Sequence, residues 1–491
     1  MKRALVIVVL LITATACIAQ TAPTIEWARC YGGSDDDEAS SIAQTADGGF
    51  IVAGYTYSND GDVSGNHGYW DYWVVKLNPS GDIVWQKSLG GSSHDYVHSI
   101  TQTTDGGFIV AGESRSNDGD VSGNHGYSDY WIVKLNSLGE IQWQKCLGGS
   151  DWDVATSIVQ TADCGFIVAG YSYSNDGDVS GNHGGYDYWV VKLNSSGESQ
   201  WQKSLGGSSI DFAYSIAQTA DGGFIVAGRS CSNDGDVTGW HEGYDVDHRP
   251  ISDYWVLKLN SSGDIIWQKS LGGSSYDWAW SIAQTTDGGF IVAGYSYSND
   301  GDVSGHHGMI GSADYWVVKL NSSGDIVWQK CLGGSNYDIA RSIAQTSDGG
   351  FIVAGESASN DGDVSGNHGG YDYWVVKLSP PDPIGIAENP LPEQFSINIA
   401  PNPFNSAVSI TIDCRGLINQ TPTIEIFDMT GRMVYGNSVG EGLVPSRTTG
   451  DHKGLPYETI WQPDASIGSG IYFVRATVGD ESVTKRIVYL K

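Results

Sequence analysis

The sequence predicts an all-β chain: a six-bladed β-propeller of four-stranded blades, followed by a small β-sandwich. Three observations carry this reading: a glycine- and aromatic-rich composition, a string that recurs six times, and four strand signals in each recurring unit. The 491 residues include 66 Gly, 18 Trp and 26 Tyr, a balance that leans away from helical classes.

The string Asp-Gly-Gly-Phe-Ile-Val-Ala-Gly begins at Asp47, Asp105, Asp221, Asp287 and Asp348, and at Asp163 with Cys164 replacing its first glycine. Self-similarity at a nearly fixed period means a propeller or a solenoid. In the first unit, Ser41 to Thr45 is followed by the turn Ala46-Asp47-Gly48-Gly49 and by Phe50 to Gly54, an apolar run suited to a strand covered on both faces. Asp-Gly between two such runs is a hairpin signal, because the turn needs positive φ. Tyr72 to Leu77 alternates, so that Trp73, Val75 and Leu77 share a face. Ile83 to Leu89 carries Trp85, which recurs as Trp143, Trp201, Trp267 and Trp328, with Trp27 in the first copy. One tryptophan per unit at a fixed position reads as packing between blades.

The chain opens on a fourth-strand sequence, Ile25 to Tyr31, and its last unit ends on a third-strand sequence, Tyr373 to Leu378. These two are expected to pair, so that the N-terminal strand closes the ring over residues 24–378 and removes two sheet edges. That closure is similar in topology to WD-repeat propellers. The Leu320 to Trp328 hairpin resembles the turn-then-tryptophan signature of quinoprotein-like propellers over about ten residues per blade, a likeness of fold. A β-solenoid is the structural rival, and it would hold the two terminal segments far apart.

Charge narrows the partners. With 26 Lys plus Arg against 57 Asp plus Glu, the net charge is -31, which repels nucleic acid and anionic lipid. Residues 1–19 read as a secretory signal peptide, with Lys2 and Arg3, an apolar stretch Ala4 to Ile12, and a small-residue exit ending at Ala19. Cys17 is the alternative, as a lipidated cysteine. No other apolar run reaches the roughly 18 residues of a membrane span. The cysteines do not read as a disulfide framework: Cys30, Cys146 and Cys331 share one repeat position with Ser88, Ser204 and Ser270.

In a four-stranded blade the second-to-third loop and the inter-blade connection fall on one edge, so the Asn-Asp-Gly-Asp loops gather there. Calcium is one reading of their carboxylates, Asp60, Asp62, Asp118, Asp120, Asp176, Asp178, Asp234, Asp236, Asp300, Asp302, Asp361 and Asp363; side-chain-to-backbone turns are the other. His67, His125, His183, His241, His307 and His368 recur in the same loops, and hydrogen bonds to loop backbone are expected of them. At the top of the second strand the copies diverge. Tyr55 and Tyr57, Tyr171 and Tyr173, and Tyr295 and Tyr297 alternate with Glu113 and Arg115, Arg229 and Cys231, and Glu356 and Ala358. Exposed aromatics beside polar groups suit sugar rings. The fourth unit carries a longer loop with Glu242, Asp245, Asp247 and His248, the one place where differentiated acid and base roles are available.

Residues 379–394 form a proline-rich linker to a C-terminal unit, 395–491. Its strand signals are Ser396 to Ala400, Ala407 to Asp413, Thr423 to Asp428, Arg432 to Tyr435, Gly470 to Val478 and Ser482 to Leu490. Four blocks follow in order: Pro401-Asn402-Pro403-Phe404-Asn405, Ile424 to Arg432, Gly468 to Val474, and the basic finish Lys485 to Lys491. They resemble the type IX secretion C-terminal sorting domain of Bacteroidetes and related bacteria. The resemblance implies Sec export, recognition by the type IX machinery, and a destination at the outer-membrane surface or in the medium. The reading is thus a non-catalytic binding or adhesion propeller for glycan or surface protein. Its rival is an extracellular polysaccharide hydrolase with its site in the fourth-unit loop. No nucleophile elbow, zincin helix or Walker loop is present.

Overall fold

In the computed structural model, the residues described are 27–244, 248–308, 311–380, 396–400, 402–413, 423–428, 432–438, 444–445, 457–478 and 481–491. The signal peptide and residues 381–394 of the linker lie outside them. The chain separates into two compact units, Met1–Pro380 and Pro381–Lys491.

The first unit is built of consecutive antiparallel sheets. Sheet 1 has strands Asp37–Gln44, Phe50–Thr56, Asp71–Leu77 and Ile83–Leu89, paired in chain order. Sheets 2 to 5 repeat this arrangement from Asp95, Asp153, Asp211 and Asp277, and a sixth, three-stranded sheet starts at Asp338. The tight turns behave as the sequence requires: Gly48 takes φ 82°, and the Thr45 N–H donates to the Gly49 carbonyl at 2.9 Å. Cys164 adopts φ 65° where the other units have glycine. The first strand begins four residues before its apolar pattern, because Asp37 still pairs with Thr56 beyond a bulge between Ala39 and Ser41.

Each sheet packs face to face on the next. One such core joins Tyr72 and Val74 of sheet 1 to Val97, Ile100, Phe108 and Trp131 of sheet 2. A buried tyrosine crosses every junction. The Tyr72 hydroxyl donates to the Trp131 carbonyl at 3.0 Å, and the same bond joins Tyr130 to Trp189, Tyr188 to Trp255, Tyr254 to Trp316 and Tyr315 to Trp374. Trp85 lies against Phe108 of the next sheet with ring centroids 5.7 Å apart, the packing role its periodicity suggests.

The expected seal between the chain's first strand and its last blade is absent among the described residues. Residues 27–33 carry no strand, and the sheet ending in Asp372–Leu378 has three strands. Trp27 instead takes a packing position on sheet 1, 5.8 Å from Phe50, with its indole N–H donating to the Pro79 carbonyl at 2.9 Å. These contacts satisfy the tryptophan without a third-strand partner. Two faces stay open. Ile42 is 64% exposed where its counterpart Ile100 is 4% exposed, and Tyr373 is 96% exposed where Tyr72 is fully buried.

The second unit contains two four-stranded sheets. One is ordered Ser396–Ala400, Val408–Asp413, Tyr457–Trp461, Val444–Pro445; the other Met433–Ser438, Thr423–Asp428, Gly470–Val478, Glu481–Tyr489. Val408, Ile410 and Trp461 from the first meet Ile424, Val474 and Ile487 from the second in one core. The strands Val444–Pro445 and Tyr457–Trp461 are additions to the sequence reading. Cys30, Cys146, Cys164, Cys231 and Cys331 are free thiols.

Candidate functional site

The second-to-third loops and the inter-sheet connections meet at one edge of the array. At the first junction Asp71 opens the third strand of sheet 1 and Asp95 opens the first strand of sheet 2. Both are fully buried. Asp71 Oδ2 accepts the His67 backbone N–H at 2.9 Å and lies 2.7 Å from His67 Nδ1. Asp95 Oδ2 accepts the Gly91 N–H at 2.9 Å and the Ser116 hydroxyl at 3.0 Å. Between the carboxylates sits Gly90, where a Cβ would lie 2.6 Å from Asp71 Oδ1 and 2.6 Å from Asp95 Oδ2. No side chain fits there, and Asp71 Oδ1 has no hydrogen-bond partner among the described residues. Burial pushes the Asp71 carboxyl up to about 6, against the pull of His67.

The recurring histidines therefore face carboxylates rather than loop backbone, which corrects the expectation from the sequence. Nδ1 lies 2.6 Å from the partner Asp in the pairs His125–Asp129 and His183–Asp187, 2.7 Å in His307–Asp314, 2.9 Å in His241–Asp253 and 3.0 Å in His368–Asp372. In each case the histidine's own backbone N–H also donates to that carboxylate. The histidine is clamped twice and spread one per unit.

The acidic loop pairs act on backbone too. Asp60, Asp118, Asp176, Asp234, Asp300 and Asp361 each accept, at 2.7 Å, the N–H of a serine in the connection entering their sheet. Their partners Asp62, Asp120, Asp178, Asp236, Asp302 and Asp363 each lie 3.4 Å from a glycine N–H of the same connection. Among the described residues no group of three or more His, Cys, Asp or Glu side chains converges as a metal site.

Beside these clamps the diverged positions build aromatic clusters that differ from unit to unit. Tyr55 packs edge-on against Trp70 and Tyr96, with centroids 5.3 and 5.0 Å away, and its hydroxyl donates to Glu38 at 2.7 Å. Tyr57 is 42% exposed, flanked by Tyr69 and Trp70. Tyr171 packs on Phe212 at 4.2 Å, while Tyr173, 47% exposed, sits 4.9 Å from Tyr186. Tyr295 is buried against Trp278, and Tyr297 is half-buried near Tyr337. Of the six tyrosines singled out from the sequence, Tyr57 and Tyr173 present the most surface.

The first strands contribute partners that the sequence reading passed over. The Arg115 guanidinium stands 4.4 Å over Trp152, Arg229 stands 3.7 Å over Trp278, and Arg341 stands 4.6 Å over Trp280. Their signal was available: these positions vary among otherwise matching strands, just as the tyrosine positions do.

In the fourth unit Glu242 and His248 are exposed, His248 at φ 60°, whereas Asp245 and Asp247 lie outside the described residues. A cleft of about 280 Å3 opens beside this loop, walled by Trp240, Tyr244, Cys231, Ser232 and Asp234. Burial raises the Cys231 thiol to about 11, against the pull of Arg229, which disfavours the thiolate form.

Comparison with known proteins defines the class first. Residues 398–449 match the family of secretion system C-terminal sorting domains. The protein is thus an all-β repeat protein carrying a type IX sorting domain, recognised by that secretion machinery and exported to the cell surface or the medium. Among curated proteins, the regulatory protein FlaEY of Caulobacter vibrioides is 29% identical over 140 residues, covering 27% of this chain and 15% of that protein's length. Solved structures give distant likenesses. A gluconolactonase-like protein has TM-score 0.33 at 11% identity, covering 64% of this chain and 84% of its own. A fungal alcohol oxidase in complex with copper has TM-score 0.30 at 13% identity, covering 92% and 99%. Dimeric latent PorU of Porphyromonas gingivalis has TM-score 0.16 at 12% identity, covering 90% and 34%.

Proposed function

We propose that the exported chain is a non-catalytic binding module for adhesion or glycan capture, its six sheets serving as propeller-type blades whose loop edge takes carbohydrate. The observation that carries this is the contrast along that edge. Every unit repeats the same clamps of histidine, aspartate and glycine, while the exposed aromatics beside them change. A repeated scaffold with rings that differ from unit to unit is suited to selecting a ligand, since ring faces pack on sugar C–H groups and neighbouring carboxylates bind hydroxyls. Tyr57 with Tyr69 and Tyr173 with Tyr186 are two such clusters, with Tyr57, Tyr69 and Tyr173 exposed. The test is a glycan array with the full chain: Tyr57→Ala combined with Tyr173→Ala abolishes the signal, and an unchanged signal refutes the assignment.

A second reading rests on the cleft walled by Trp240 and Tyr244, where the fourth-unit loop would act on polysaccharide. Reducing-end release from the same array ligands, lost in Glu242→Gln or Asp247→Asn, would establish hydrolysis in place of capture.

A further inference from the structure

The five internal junctions of the array share one device. A tyrosine of each sheet enters a socket in the next, and the floor of that socket is a glycine. A Cβ on Gly112 would lie 2.7 Å from the Tyr72 hydroxyl, and Gly170, Gly228, Gly294 and Gly355 stand in the same relation to Tyr130, Tyr188, Tyr254 and Tyr315. The glycines leave the space that the phenol occupies. All five tyrosines are fully buried.

At the two ends of the array this device is split. Sheet 1 keeps the socket: a cleft of about 100 Å3 lined by Tyr31, Ala39, Val52, Gly54, Trp73 and Val75. Ala39, exposed here, corresponds to Val97, Ala155 and Ala213, each fully buried by a preceding sheet. Sheet 6 keeps the knob: Tyr373, 96% exposed, beside Val375, 60% exposed. Knob and socket have the same residue types and register as the ten half-junctions already joined inside the molecule.

We infer that Tyr373 of one copy enters the Gly54–Trp73 socket of a second copy, so that the array continues head to tail between molecules. The argument is continuity with an interface the protein forms five times over. Because the two halves are different surfaces, the contact is heterologous, and it makes rings or open chains according to the rotation it imposes. This inference does not depend on carbohydrate binding.

The test uses the full chain and two variants at exposed positions. Ala39→Arg fills the socket but leaves the knob, and Tyr373→Ala removes the knob but leaves the socket. Sedimentation velocity should show concentration-dependent association of the unaltered chain, monomers for each variant alone, and a one-to-one dimer when the two variants are mixed. Val375→Asp is a second knob-side variant: it should be monomeric alone, form the one-to-one dimer with Ala39→Arg, and fail to associate with Tyr373→Ala. The inference is overturned if the unaltered chain is monomeric at every concentration, the result expected if the two faces meet within one chain. It is equally overturned if Tyr373→Ala still associates, or if the mixed variants stay monomeric while their circular dichroism matches the parent.

Discussion

His125 Nδ1 lies 2.6 Å from Asp129 Oδ2, and the His125 backbone N–H donates to the same oxygen at 3.0 Å, so a single buried carboxylate fixes both the ring and the loop that carries it. The pair couples loop geometry to protonation. Burial pushes Asp129 upward, against the pull of His125. Burial also pulls His125 down, but its bond to Asp129 and the surrounding carboxylates outweigh that and leave it raised.

Stability should therefore be greatest in mildly acidic solution. Burial raises the carboxyls of Asp71, Asp153 and Asp211 to about 6. Their contribution is fully present below the unfolded carboxylate value near 4 and is lost as pH rises through about 6. The raised His125, His183 and His241 act in the same direction. At the opposite edge, hydrogen bonds from Thr45 and then Lys76 hold Asp47 at about 2. That contribution is present above about 4 and lost as pH falls through 2. Melting temperature against pH should peak between about 4 and 6; a monotonic rise to pH 8 contradicts the burial of these carboxyls.

Gly90→Ala should destabilise the array by about 2 kcal/mol or more, since the new methyl meets two buried carboxylates in a close-packed junction. Gly106→Ala is the comparison. It lies at φ 80° with open space around it, so it should cost about 1 kcal/mol from backbone strain alone. Denaturant unfolding of both variants measures the difference, and a loss for Gly90→Ala no larger than that for Gly106→Ala would show that the junction accommodates the methyl between the two carboxylates.

What the sequence made legible was local. The Asp47-Gly48 turn, the tryptophan positions and the four-strand order follow from spacing, because hairpins join neighbours in the chain. The Asp71–Gly90–Asp95 arrangement joins two sheets through a connection whose glycines read equally well as flexible loop, and only the fold reveals that they are there for lack of a side chain. The ring seal turns on a longer-range pairing that spacing does not specify. Trp27 resembles Trp85 because both pack on a phenylalanine of the following sheet, and that contact needs no strand pairing. In the C-terminal unit, Tyr457–Trp461 lay within a long polar stretch without alternation strong enough to mark it.

The edge opposite the loops makes an asymmetric pair of predictions. Lys134 is almost fully buried, its Nζ 2.9 Å from Asp105 Oδ2 and 3.0 Å from the Leu135 carbonyl. Asp105→Ala leaves the buried ammonium short of its counter-charge, and should cost about 1–2 kcal/mol, a figure kept low because the Asp105 side chain is half exposed and water screens it. Lys134→Met removes the charge along with its need for a partner and should be nearly neutral. Thermal unfolding of the two variants ranks them, and a larger loss for Lys134→Met would show the ion pair itself to be the stabilising element.

The acidic loops give the last prediction. Asp118 Oδ1 accepts the Ser92 N–H at 2.7 Å, and that bond, the largest influence on it, holds the carboxyl below its ordinary range. An asparagine oxygen accepts the same N–H, whereas a cation would need the negative charge and several more oxygens around it. Asp118→Asn should therefore melt close to the parent, Asp118→Ala should melt lower, and neither excess calcium nor a chelator should move the parent's midpoint. A midpoint that rises with calcium, and no longer does so in Asp118→Asn, would reassign these carboxylates from clamping the connection between sheets to holding an ion.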